Sequence, residues 1–132
     1  MTYANFEEFW PDYVRAHSTK LNRTLHVVGM GLALACVAAA ITKKRPWLLL
    51  GAPLFGYGFA WAGHFFVEKN MPETFSHPLY SLRASALLFW KTISGSMEAE
   101  VARILRSEED DAARAASPTA EEAAPEGATT VN

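Results

Sequence analysis

Two long stretches without a charged side chain, split by a short basic segment, constrain this chain more than any other feature. Residues 25–42 (18 residues) and 47–67 (21 residues) contain no Asp, Glu, Lys or Arg. At 1.5 Å rise per residue the longer run makes a helix of about 30 Å, the thickness of a bilayer's hydrocarbon core. Lys43-Lys44-Arg45 closes the first run and Pro46 opens the next; proline suits a first helical turn, where its missing N–H is not needed. So short a connection makes the two helices antiparallel neighbours. The expected fold is all-α: a small membrane helical bundle built on a two-helix transmembrane hairpin. Gly51, Pro53, Gly56 and Gly58 interrupt the second run, as membrane helices tolerate. The competing reading is a soluble bundle with both long helices buried; apolar runs of ~18 residues or more favour the membrane.

Amphipathic helices flank the hairpin. Asn5 followed by Glu8 forms a capping-box pattern, and Phe6, Phe9, Trp10, Tyr13 and Val14 recur at helical spacing. Trp10 and Tyr13 suit either a membrane interface or packing against the core. Ser18 or Thr19 can cap the first long helix. After a loop from Asn70 to His77, Pro78 starts a helix through Ile93; Val101, Ile104 and Leu105 add a last amphipathic turn or two. The domain division is 1–106, a helical membrane domain with the site, and 107–132, an acidic tail. That tail has seven acids and one base, so it carries −6 of a total of −2 and leaves +4 on residues 1–106. With almost no large apolar side chain it is expected to be disordered.

A mildly basic, apolar body suits anionic lipid; nucleic acid needs a denser basic stripe, and none is expected as a partner. Arg15, Lys20, Arg23, Lys69 and Arg83 at the open end of the hairpin outnumber Lys43, Lys44 and Arg45 at its turn, which puts the open end on the cytoplasmic side of a multi-pass protein. No basic region followed by an apolar stretch opens the chain, so no cleavable signal peptide is expected. The single cysteine, Cys36, lies in an apolar run and reads as a small buried hydrophobe. No phosphate-binding glycine loop and no G-x-S-x-G nucleophile elbow occur.

The chemistry rests on histidine. His26 lies 18 residues before Lys44 and His64 lies 20 after it, so antiparallel helices bring both to ~27–30 Å from the turn. His17 falls at the same end, and Glu68 is four residues beyond His64, one α-helical turn on. A lone histidine on an apolar helix is more often structural, but three converging with a glutamate at one depth make a functional site, because ionisable groups near a membrane span are costly. Two histidines with a carboxylate and open positions suit non-haem Fe(II). A zinc hydrolase is the competing metal reading, without the H-E-x-x-H signature.

Two motifs extend this reading. His17-x4-Asn22-x3-His26, within Tyr13-Val14-Arg15-Ala16-His17, and Gly63-His64-Phe65-Phe66-Val67-Glu68-Lys69-Asn70-x-Pro72 together resemble the membrane family once called domain of unknown function 962. Its fungal member is a 2-hydroxy fatty acid dioxygenase. The resemblance spans about residues 5–105. It implies an Fe(II)-dependent dioxygenase of fatty acid α-oxidation that uses O₂ to shorten a 2-hydroxy fatty acid by one carbon. By motif position His17, His26 and His64 would be iron ligands, Glu68 a ligand or a partner of one, and Asn22 would orient a ligand or the substrate head group. For Asn22 a helix-surface hydrogen bond, and for Glu68 a salt bridge with Lys69 or Arg23, are the plainer roles.

His77, in Ser76-His77-Pro78, lies outside the fungal pattern. It is a fourth ligand, a proton donor or, the favoured reading, a helix-cap residue. The chain departs from bacterial-type members at Ser85, near where an acid often stands, and is shorter than the fungal type between the motifs. Phe65, Phe66, Trp61 and Phe89 are candidates to line an acyl chain. Two other functions stay open: a non-catalytic membrane protein with structural histidines, and a metal-dependent lipid hydrolase.

Overall fold

The computed structural model describes residues 3–116. Five α-helices run in chain order, with no strand among the described residues: α1 (Phe6–Arg15), α2 (Lys20–Thr42), α3 (Gly51–Ala62), α4 (Pro78–Ile93) and α5 (Met97–Ala116). A 3₁₀ turn, Pro46–Leu50, leads into α3, and a π-helical turn, Gly63–Glu68, continues it. A short 3₁₀ turn, Glu73–Phe75, precedes α4.

Local sequence explains the starts. Asn5 caps α1 by accepting from Glu8 N at 3.1 Å, while the Glu8 carboxylate accepts from Ala4 N at 3.0 Å. Thr19 caps α2, its hydroxyl accepting from Asn22 N. Pro46 and Pro78 each occupy an early helical position.

The molecule has two differently built parts. Phe6, Phe9, Trp10, Tyr13 and Val14 of α1 bury against Ala84 and Leu88 of α4 and Met97, Val101 and Ile104 of α5. This is a conventional core, and it assigns Trp10 and Tyr13 to packing. The antiparallel α2–α3 pair is different: the two backbones approach at Gly29, where a Cβ would lie 2.8 Å from Phe59 Cβ and 2.9 Å from the Phe55 carbonyl oxygen. Outward from that seam, Leu32, Leu34, Ile41, Leu50 and Leu54 are exposed. By length and composition α2 can cross a membrane, and it is the one such helix among the described residues. The expected second span, 47–67, is divided into 3₁₀, α and π segments, so the hairpin is present as a helix pair and not confirmed as two transmembrane helices.

The helical chain runs further than its composition suggests. α5 is a 20-residue helix to Ala116 rather than one or two turns, so residues 107–116 are helical. Alanine, glutamate and arginine are good helix formers, and Arg15 Nε reaches Glu108 at 2.7 Å. The rest of the expected tail, residues 117–132, lies outside the described residues.

Candidate metal centre

Three histidines from three places in the chain meet between the two parts. His17 sits in the turn after α1, His26 in α2 and His64 in the π-helical turn. One ring nitrogen of each lies within 4.8 Å of the other two, and all three residues are buried. His17 Nε2 is 3.1 Å from His26 Nε2.

Hydrogen bonds at the far side of two rings fix which nitrogens face inward. The Tyr13 carbonyl, 2.6 Å from His17 Nδ1, can only accept, so Nδ1 carries the proton and Nε2 keeps its lone pair. The Asn70 amide nitrogen donates to the Ala16 carbonyl at 3.0 Å, which leaves its Oδ1 to accept from His64 Nδ1 at 2.7 Å. His64 Nε2 is then also a free donor atom. Two nitrogens bound to one ion at ~2.1 Å lie ~3.0–3.4 Å apart, which the His17–His26 distance matches. Burial, then the neighbouring His26 and His64, hold the His17 pKa well below the ordinary 6.5, so the ring stays neutral, as a metal ligand must be. The donor set fits a metal ion. Imidazole suits zinc, copper, iron and nickel alike.

The other expected residues lie around this cluster rather than in it. Glu68 does not join the histidines. Its carboxylate accepts from Thr19 N and Thr19 Oγ1, both at 2.8 Å, and from Ser18 Oγ at 3.3 Å. Nor does it pair with Arg23, which donates to Glu98 at 2.7 Å. Asn22 is fully buried, not a surface residue. Its amide faces Glu68 Oε1 and the Ala16 carbonyl at 3.4 and 3.5 Å. Gly63 makes room for it, since a Cβ there would lie 2.0 Å from Asn22 Oδ1. His77 occupies the N-cap position of α4 without a side-chain cap bond. Its ring packs among Tyr3, Phe9 and Tyr80, and its Nδ1 is 3.8 Å from Glu73.

A cavity of about 160 Å³ opens beside His26 and His64. Thr74, Ser81 and Ser85 supply hydroxyls to it, and Met30, Ala33, Ala60 and Leu82 are among its apolar walls. The expected lining aromatics are elsewhere: Phe65 and Phe66 are exposed, and Trp61 packs at a tilt against Phe75 and Tyr57. Phe89 does not line the cavity either. Ser85 also bonds the Tyr13 hydroxyl at 2.8 Å, and Tyr13 stacks on His17 with ring centres 4.0 Å apart.

Asn70 and Tyr13 are site residues beyond those expected from sequence. Asn70 was in view inside the second motif, six residues beyond His64. The Tyr13 ring, four residues before His17 and stacked on it, is at a helical spacing, but the Tyr13 carbonyl that holds His17 Nδ1 is a contribution no side-chain pattern reports.

A family model described as 2-hydroxy-palmitic acid dioxygenase Mpo1-like matches residues 3–97. The chain belongs to this family. The Mpo1-like match takes in all three histidines together with Asn22, Glu68, Asn70 and His77, and stops at the first residue of α5. No curated protein and no solved structure matches the chain significantly.

Proposed function

We propose that this Mpo1-like protein is a non-haem Fe(II) dioxygenase that shortens 2-hydroxy fatty acids by one carbon, with His17, His26 and His64 as the iron ligands. The observation that carries this reading is that two of the three clustered histidines, His26 and His64, stand in the wall of a mostly apolar cavity. An amphiphile can place its head at the histidines and its chain along Met30, Ala33, Ala60 and Leu82. Three neutral imidazoles leave the charge of a divalent ion uncompensated in a buried site. A substrate that brings a carboxylate supplies that charge. The α-hydroxyl beside it is a second donor oxygen, and the hydroxyls of Thr74, Ser81 and Ser85 can bond the same head group.

Bound iron would supply the activation of O₂. The conversion balances as R–CH(OH)–COOH + O₂ → R–COOH + CO₂ + H₂O, with O₂ as the only oxidant. The chain's own residues orient and exclude. Tyr13 covers the His17 ring, and Asn22 and Glu68 act as positioning residues that tie the His17 turn and the start of α2 to the π-helical turn carrying His64. His77, packed among aromatic rings, braces the start of α4.

A membrane location goes with this function. The exposed leucines of the α2–α3 pair support burial of that pair in lipid as a multi-pass hairpin. The five basic residues at the open end support a cytoplasmic site.

The test is O₂ uptake by anaerobically purified, Fe(II)-loaded protein in detergent. 2-Hydroxypalmitic acid should drive stoichiometric uptake, and palmitic acid none. Equal turnover of an ester or amide without O₂ would replace this reading with hydrolysis.

A further inference from the structure

The His64 ring reaches the cluster through a backbone arrangement that ordinary helix would not provide. Where α3 ends, the chain widens into the π-helical turn Gly63–Glu68. Lys69 then takes φ 58, a left-handed conformation that side chains rarely adopt. That reversal brings Asn70 back under the residue six positions earlier, and Asn70 N donates to the His64 carbonyl at 3.0 Å. The side chain follows, with Oδ1 2.7 Å from His64 Nδ1. Its other end is tied to the Ala16 carbonyl, next to His17. One amide therefore spans from the turn that carries one candidate ligand to the ring of another.

The direction of these bonds matters as much as their length. Ala16 O can only accept, so the Asn70 amide cannot turn round without setting two oxygens face to face. Oδ1 is thereby held toward His64, and the His64 proton is held on Nδ1. Such hydrogen bonds beside a metal site fix ligand tautomer and ring orientation, and their removal typically costs 10–100-fold in metal affinity. His17 has its proton placed by a main-chain carbonyl, which substitution cannot remove. Asn70 is the side chain through which the donor set can be changed.

We propose that Asn70 is a positioning residue that fixes the Nδ1–H tautomer of His64 and so makes its Nε2 a metal donor. The inference rests on the histidine cluster being a metal site, and not on the identity of the substrate. The experiment is ¹⁵N NMR of histidine-labelled, metal-free full chain in detergent micelles, paired with Co(II) titration. Wild-type His64 should show a protonated Nδ1 and an unprotonated Nε2. Asn70→Asp gives up the bond to Ala16 O but keeps an acceptor oxygen toward His64 Nδ1, and should preserve that tautomer. Asn70→Leu should populate the Nε2–H form and weaken Co(II) binding by about 10- to 100-fold, with the His17 signals and helical circular dichroism unchanged.

An unshifted tautomer and unchanged Co(II) affinity in Asn70→Leu would overturn the assignment. If the leucine variant does not fold, a wild-type His64 protonated on Nε2 is enough to overturn it. Neither readout involves O₂ or fatty acid, so a protein inert toward 2-hydroxypalmitic acid could still pass this test.

Discussion

His17 Nε2 and His26 Nε2 lie 3.1 Å apart, one from the turn after α1 and the other from the second turn of α2, with His64 brought to them by the far arm of the hairpin. With His17 Nδ1 committed to the Tyr13 carbonyl, the His17 Nε2 lone pair faces His26 Nε2, and the ring nitrogens turn toward a shared focus. Replacing His26 or His64 should abolish metal binding without unfolding the chain, because neither belongs to the core of α1, α4 and α5. On the iron reading proposed above, Fe(II)-loaded His26→Ala and His64→Ala should each retain less than about a tenth of the iron the wild type retains, a loss at least as large as that from removing a supporting hydrogen bond. Helical circular dichroism should be retained. Metal analysis on the detergent-purified variants decides it, and full iron content in either would remove that residue from the ligand set.

How much of this could be read in advance depends on helix type. Counting residues from Lys44 puts His26 and His64 at one depth because both arms of the hairpin are helical and antiparallel. The same counting failed for Glu68, since spacing of four places two residues on one face only in an α-helix. The π-helical turn holds more residues per turn and rotates Glu68 away, onto Thr19 and Ser18. Charge density misled in the other direction. Glu108 belongs to a run that looks like a solvated tail, yet it faces Arg15, a partnership visible only once α1 and α5 pack.

The cavity makes a prediction about substrate size. Ala60 and Ala33 contribute small walls to a space of about 160 Å³. Ala60→Phe should fill part of it and raise KM for 2-hydroxypalmitic acid by about 10-fold or more, the scale on which hydrophobic pockets discriminate. A short-chain 2-hydroxy acid should be turned over as before, and iron content should not change. Equal losses for long and short substrates would mean the chain does not lie along α3.

Lys69 bears the left-handed turn that returns Asn70 to His64. A non-glycine residue there costs roughly 1 kcal/mol, which glycine avoids. Lys69→Gly should therefore raise the thermal unfolding midpoint in detergent while keeping the metal. A lower midpoint would show that the Lys69 side chain contributes more than its backbone strain removes.

Glu100 joins three elements. It accepts from Trp10 Nε1 at 2.9 Å and from Arg103 at 2.7 Å, and it faces Lys91 at 3.4 Å. Burial pushes its carboxyl up, but these partners outweigh that and hold it at about 2, below the ordinary 4.5. A depressed carboxyl stabilises the fold above the unfolded value and loses that stabilisation as pH falls. The loss should begin near 4.5 and run toward 2. Glu100→Gln should lower stability at neutral pH by about 1 kcal/mol, discounted for partial exposure, and flatten the acid limb of the curve. Unfolding followed from neutral pH to 3 would test both, and an unchanged acid limb would assign the acid sensitivity to other groups.

The last prediction sets two helical glycines against each other. A Cβ at Gly31 meets nothing within 4 Å, whereas one at Gly63 would lie 2.0 Å from Asn22 Oδ1 and 3.0 Å from its Cγ. Gly31→Ala should stabilise the protein by up to ~1 kcal/mol through helix propensity alone. Gly63→Ala must displace a fully buried Asn22 that bonds Glu68 and backs the turn holding His64, at a cost of about 1–3 kcal/mol. It should also weaken Co(II) binding, because the displaced side chain lies between the two histidine-bearing segments. Thermal unfolding and Co(II) titration of both variants separate the effects. A Gly63→Ala protein with wild-type stability and affinity would show that Asn22 can yield without moving His64, and would leave Asn70 as the side chain on which the ring's position depends.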